Sequence, residues 1–232
     1  PRAQVLGRDF AGVVDAIGDD VTGLRVGDEV FGEAGQTFAE YVSVRPNQVA
    51  RKPANLTFEQ AATIPLAGVT AWQAWDRAGL QPGQRVLVNG ASGGVGHFAV
   101  QIARALGAQV TAVCSGGNAE MMRALGAEHV IDYRESDYTT LGQKYDVIFD
   151  AVVTHPLADT RRALVPAGTY LSVGTAPAQG PGEGGPLGPL PGIAGVLARS
   201  VTARPQRLMV VSAKPNLGLA ELTSLVEEGS VA

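Results

Sequence analysis

The chain has 232 residues and a single cysteine, Cys114. An intrachain disulfide is impossible, and zinc or iron–sulfur sites built from cysteine clusters are excluded. A reducing, cytoplasmic compartment is the expectation. A basic excess is also missing: Lys and Arg total 18 against 22 Asp and Glu, for a net charge of −4. Nucleic acid and anionic membranes demand a basic patch, so neither is an expected partner. No apolar run reaches the ~18 residues of a membrane helix. The opening Pro1-Arg2-Ala3-Gln4 carries neither a signal-peptide pattern nor an initiator Met, so a fragment or trimmed chain is expected. Glycine and proline are plentiful, at 30 and 14 residues, well above the usual combined share of about 12%.

Residues 1–50 read as short strands and turns, with strands expected over Phe10–Ile17, Asp28–Gly32 and Thr37–Val44. Such spacing suggests a barrel-like antiparallel sheet. Thr57 with Gln60 three residues on predicts a capped helix, and Thr70–Ala78 a second. From Arg85 the texture changes to strands alternating with helices. Strands are expected over Arg85–Asn89, Val110–Cys114, His129–Tyr133, Asp146–Ala151, Thr169–Val173 and Arg207–Ser212. Helices are expected over His97–Leu106, Ala119–Leu125, Pro156–Leu164 and Leu217–Glu228. This alternation predicts βαβ units and a doubly wound parallel sheet. Gly174 to Gly195 holds 8 Gly and 5 Pro and reads as a loop. The expected division is a partial barrel of short strands with a connecting helix at 1–79, the parallel-sheet domain at 80–212, and a final helix at 213–232.

The most informative stretch is strand, glycine turn and helix over Val86–Gly107. Ala91-Ser92-Gly93-Gly94-Val95-Gly96 fits the dinucleotide fingerprint G-x-G-x-x-G with Ala at the first Gly. Gly93 leaves room for a pyrophosphate, Gly96 lets the helix pack on the strand, and the helix N-terminus supplies free N–H groups. The alternative is a plain tight turn.

With these residues in place, the chain resembles the medium-chain dehydrogenase/reductase superfamily in its zinc-independent, quinone oxidoreductase-like branch. G-R-D-F-A-G-V-V at 7–14, V-G-D-E-V-F-G at 26–32 and F-A-E-Y-V at 38–42 resemble that family's GroES-like barrel, and A-G-V-T-A-W at 67–72 the helix leading into the nucleotide domain. The resemblance implies a Rossmann domain with a partial GroES-like barrel, one that lacks an N-terminal barrel segment and the final return to the barrel. It places Thr70 near the nicotinamide or phosphates, with Val152, Val173 and Gly174 at strand ends, where open α/β sheets bind ligands. Thr70 has an alternative role within its helix, and Val152 and Val173 as core. The resemblance also implies pairing of two copies along the nucleotide-domain sheet.

Zinc-dependent relatives carry His where this chain has Arg8 in Gly7-Arg8-Asp9, and a guanidinium cannot coordinate a metal. No zinc site is expected. His97, His129 and His155 are spaced like no metal cluster and read as surface or capping groups. Ser92 in G-A-S-G-G is not a hydrolase elbow. Asp9, Asp28, Asp146 and Asp150 are left as turn or strand-flanking residues, Cys114 as a small buried one, and no catalytic residue is assigned.

The coenzyme expected is NADPH, with NADH also admitted. An NAD-specific fold puts an acid about 20 residues past the first Gly, whereas Val110–Asn118 contains none. Ser115, Asn118 and the N–H groups of Gly116 and Gly117 could donate to a 2′-phosphate, and the resemblance adds Tyr133. Arg123 and Arg134 are the nearby cations. The leading reading is a zinc-independent NADPH oxidoreductase whose partner is a small-molecule electron acceptor, a quinone or activated alkene. The alternatives are a non-catalytic coenzyme-binding protein and an enoyl-reductase domain of a larger synthase.

Overall fold

The computed structural model describes residues 5–173 and 205–232. They fall into two compact units, one formed by residues up to 72 together with 213–232, the other by 73–212. In the first unit, β1 (Asp9–Val13), β2 (Glu29–Glu33) and β3 (Val49–Arg51) make an antiparallel sheet in that order. Asp9 pairs with Glu33 and Val13 with Glu29. The strand expected over Thr37–Val44 is absent. A strand needs a ladder partner to satisfy its backbone, and this segment pairs with none among the described residues. It is held instead by isolated main-chain bonds to the segment before β1, such as Phe38 N–H to Leu6 O at 2.9 Å. Phe38 and Tyr41 stand exposed, and a cavity of about 850 Å³ opens between this segment and Phe10, Val13, Val30 and Val49.

The Thr57 cap forms as its spacing predicts. Its hydroxyl accepts the Gln60 N–H at 3.2 Å, and Gln60 Oε1 accepts the Thr57 N–H at 3.0 Å, opening the single turn α1 (Phe58–Ala61). Helix α2 (Pro65–Ala78) begins in the first unit and ends in the second, starting five residues before the expected Thr70.

The second unit is built on strands that are apolar on both faces, the pattern of a parallel sheet covered on each side. Its elements are β4 (Arg85–Asn89), α3 (Gly94–Ala105), β5 (Gln109–Cys114), α4 (Ala119–Ala124), β6 (His129–Asp132), β7 (Tyr145–Asp150), α5 (Leu157–Arg162), β8 (Leu164–Ser172) and β9 (Arg207–Val210). The six strands are parallel in the order β6-β5-β4-β7-β8-β9. That is the doubly wound dinucleotide-binding order, and it reverses between β4 and β7. Val86, Leu87, Val110, Ile148, Phe149 and Leu171 are fully buried, each burial contributing about 1.5–3 kcal/mol. Trp75 of α2 packs its ring 5.0 Å from that of Phe149, and its Nε1–H donates to Ala99 O at 3.0 Å.

Strand β8 runs back to Leu164, longer than expected, across a register shift opposite Tyr145 and Val147. The final helix, α6 (Leu219–Glu227), belongs to the first unit. Its Leu222 lies against Gly68, and Asn55 Nδ2 donates to Val226 O at 2.8 Å. The Gly174–Gly195 segment lies outside the described residues.

Candidate functional site

Strand order sets the place of the site. In open α/β sheets ligands bind outside the carboxyl ends of the strands where the order reverses, here the ends of β4 and β7. The loop after β4 is the glycine turn. Gly90 takes φ +81°, and Gly90 and Ala91 both donate their N–H to Val113 O, at 3.2 and 3.0 Å. The turn is thus tied to the end of β5. Helix α3 starts at Gly94, three residues earlier than its periodicity suggests, with Gly93 as N-cap and no side chain capping it. Its first N–H groups are those a helix leaves without intrahelical partners. A β-carbon at Gly96 would collide with Gly90 O and Ala91 Cα, so glycine there permits the close approach of α3 to the turn. Gly93 and Gly94 are exposed, Ala91 is buried, and Ser92 and Val95 are half-buried. A β-carbon at Gly93 would meet only Gly90 O, at 3.3 Å, and at Gly94 nothing within 4 Å. Space, bare N–H groups and the helix dipole together fit an anionic pyrophosphate.

The β5 end is less open than its sequence suggests. Asn118 Nδ2 donates to Ser115 Oγ at 3.2 Å, and the Gly116 N–H is taken by Asp132 Oδ2 at 2.8 Å. Tyr133 follows β6 with its ring exposed. The parallel register sets Cys114 beside Asp132. The sequence reading missed this carboxylate because it comes from the neighbouring strand, and that register was the signal that would have found it.

At the β7 end stands Asp150, fully buried. Its Oδ1 accepts Asn89 Nδ2 at 2.9 Å and the N–H groups of Val152 and Val153 at 3.2 and 2.8 Å. Its Oδ2 accepts the Tyr170 hydroxyl at 3.0 Å. Burial and then this carboxylate push the Tyr170 hydroxyl well above the ordinary phenol range, so it stays a donor. Val153 is held at φ +52°, a region costly for a β-branched residue. Val152 is 40% exposed and faces the space above Gly90. Val173 N–H continues the ladder to Asp150 O at 2.9 Å. Asn89, Asp150 and Tyr170 were not singled out in the sequence as a site. A carboxylate closing the apolar run Val147–Phe149 was the available signal.

Thr70, in the first unit, donates its hydroxyl to Leu66 O at 2.6 Å within its own helix. Gly174 lies outside the described residues. His97 Nδ1 sits 3.0 Å from Gly93 O, and His155 bridges Thr154 Oγ1 at 3.1 Å and Asp137 at 3.2 Å. Cys114 is buried, which pushes its thiol up and away from reactivity. Arg8 pairs with Glu33. A guanidinium engaged in this way provides no metal donor. Among the described residues no cluster of three His, Cys, Asp or Glu side chains could hold a metal.

Comparison with known proteins follows this geometry. The family described as zinc-binding dehydrogenase matches residues 94–194, and the alcohol dehydrogenase GroES-like domain matches residues 1–54. The chain is 39% identical over 164 residues to 2-methylene-furan-3-one reductase of Solanum lycopersicum, covering 66% of this chain and 42% of that protein. It is 37% identical over 164 residues to the chloroplastic NADPH-dependent alkenal/one oxidoreductase of Arabidopsis thaliana, with coverage of 66% and 42%. This chain therefore spans about two fifths of the length of these curated relatives. The quinone oxidoreductase from Coxiella burnetii superposes with a TM-score of 0.80 at 31% identity, over 98% of this chain and 69% of that one. With the reversed parallel sheet, the GroES-like match and these relatives in agreement, the chain belongs to the medium-chain dehydrogenase/reductase superfamily.

Proposed function

We propose that this protein is an NADPH-dependent oxidoreductase that reduces a quinone or an activated alkene without zinc. The observation that carries the reading is the uncapped N-terminus of α3 behind exposed Gly93 and Gly94, at the point where the sheet reverses. When bound, a reduced nicotinamide supplies the hydride and the protein supplies position and environment. The N–H groups of Gly94, Val95 and Gly96 hold the pyrophosphate. Ser115, Asn118 and Tyr133 stand at the adenosine end. Val152 and Val173 present apolar side chains at the other end and keep water from the reacting ring. Asp150 fixes the main chain on which Val152 sits. The zinc-independent part of the reading rests on Arg8, whose guanidinium is committed to Glu33.

The test is oxidation of NADPH, followed by loss of its reduced-nicotinamide absorbance, against a panel of quinones and enones with and without a chelator. Turnover that the chelator leaves unchanged is expected. Tight coenzyme binding with no turnover on any acceptor would favour a non-catalytic binder, and chelator-sensitive turnover would refute zinc independence.

A further inference from the structure

We propose that coenzyme choice is read at the end of β6, where Asp132 opposes a 2′-phosphate and Arg134 attracts it, rather than by the turn that follows β5. The inference rests on the coenzyme placement above. The turn itself, Ser115 to Asn118, contains no charged side chain. A charge nevertheless stands against it. Parallel pairing sets Asp132 beside Cys114, and its carboxylate reaches forward to the Gly116 N–H at 2.8 Å. Gly116 is what permits the approach, since a β-carbon there would meet Asp132 Oδ2 at 2.5 Å. The second carboxylate oxygen accepts the Arg134 N–H at 2.9 Å, which fixes the chain direction just past the strand.

This same short segment carries the opposite charge. The Tyr133 N–H donates to Cys114 O at 3.2 Å, so the residue stays at the level of the turn while its ring is 57% exposed. The Arg134 guanidinium lies over that ring, 5.7 Å from its centroid. Stacking on the exposed ring holds the cation in place while leaving its charge outward. Among the described residues Arg134 makes no salt bridge. A ribose hydroxyl is neutral, whereas a 2′-phosphate carries up to two negative charges. Asp132 and Arg134 therefore act almost entirely on the phosphate, in opposite directions, and leave NADH binding nearly untouched.

The experiment titrates NADPH and NADH into the parent chain and into two variants, by nicotinamide fluorescence at low and high salt. Asp132→Asn removes the charge and keeps an oxygen for the Gly116 N–H, giving up the exposed bond from the Arg134 N–H. It should tighten NADPH about three- to tenfold and leave NADH within about twofold, the effect shrinking at high salt. Arg134→Gln should weaken NADPH about tenfold and leave NADH unchanged. Opposite shifts in the NADPH-to-NADH ratio support the inference. A ratio unmoved in either variant, or both coenzymes shifted alike, overturns it while leaving the coenzyme reading intact. Failure of the parent to bind either coenzyme removes that reading and this inference with it. Melting temperatures of both variants close to the parent's show that the turn has kept its fold.

Discussion

Replacing Asp150 by Ala should destabilise the nucleotide-binding unit severely, although the residue touches no solvent. Four donors converge on this carboxylate: Asn89 Nδ2, the Tyr170 hydroxyl and the N–H groups of Val152 and Val153. Each buried donor left unpaired costs about 1–3 kcal/mol. Part of that is offset because the variant no longer has to bury a carboxylate, which is itself expensive. The net expectation is a loss of about 3–5 kcal/mol, from two buried and two half-buried donors left without an acceptor. For a chain of this size that is a fall in melting temperature of about 6–20 °C. Asp150→Asn has nearly the same shape and keeps an oxygen for the two main-chain donors, so its loss should be only about 1–2 kcal/mol. Thermal and urea denaturation followed by circular dichroism measure both. An Ala variant within about 1 kcal/mol of the parent would refute the claim that this carboxylate holds the loop.

Three further outcomes follow from the same geometry. Val153→Gly should stabilise the chain by about 0.5–1 kcal/mol, because relief of the left-handed conformation, about 1–2 kcal/mol, exceeds the entropy that glycine loses; a lower melting temperature would contradict it. Gly93→Val should fold normally, since its φ of −79° and ψ of 170° suit any residue, yet lose at least about tenfold in coenzyme affinity by filling the pyrophosphate's space; undiminished binding in a fluorescence titration would move the phosphates elsewhere. Asp9 has its pKa raised, first by burial and also by Glu33, against the opposing Leu66 N–H bond and Arg8. The folded state then prefers the protonated acid, so this group's contribution is intact below the unfolded value of 3.8 and is lost as pH rises through the folded pKa. Asp9→Asn should raise the melting temperature at neutral pH and leave it unchanged near pH 3; equal effects at both would rule out ionisation as the cause.

Much of the nucleotide-binding unit is legible in its sequence because parallel strands announce themselves. Val86–Val88 and Val147–Phe149 are uninterrupted apolar runs, each closed by a polar residue, Asn89 and Asp150, that ends the strand. Antiparallel pairing is harder to read. Thr37–Val44 has a strand's composition, yet a strand exists only where a neighbour offers hydrogen bonds, and none of the described strands does so. Val49–Arg51, which does pair with β2, is only three residues long and gave no periodic signal. The glycine turn could be placed from its own residues because its chemistry is local. Asp132 and Asp150 could not, since each acts on residues contributed by another strand. Asp132 reaches Gly116, 16 positions earlier, and Asp150 reaches Asn89 across 61. Composition conveys that they are acids; the register of the sheet decides what they touch.

The contact between Gly90 and Val152 couples the packing of two stretches that are distant in the chain. A β-carbon at position 90 would lie 3.1 and 3.3 Å from the two methyl groups of Val152. A larger residue at 90 must therefore both adopt the left-handed backbone that Gly90 holds at φ +81° and displace these methyls, and a smaller residue at 152 relieves only the second cost. Substitutions at the two positions should not add, and a double-mutant cycle should show a coupling of about 0.5–3 kcal/mol, the range for side chains in direct contact. The glycine turn and the loop after β7 are in this sense one packed unit: a side chain that grows in either meets the other.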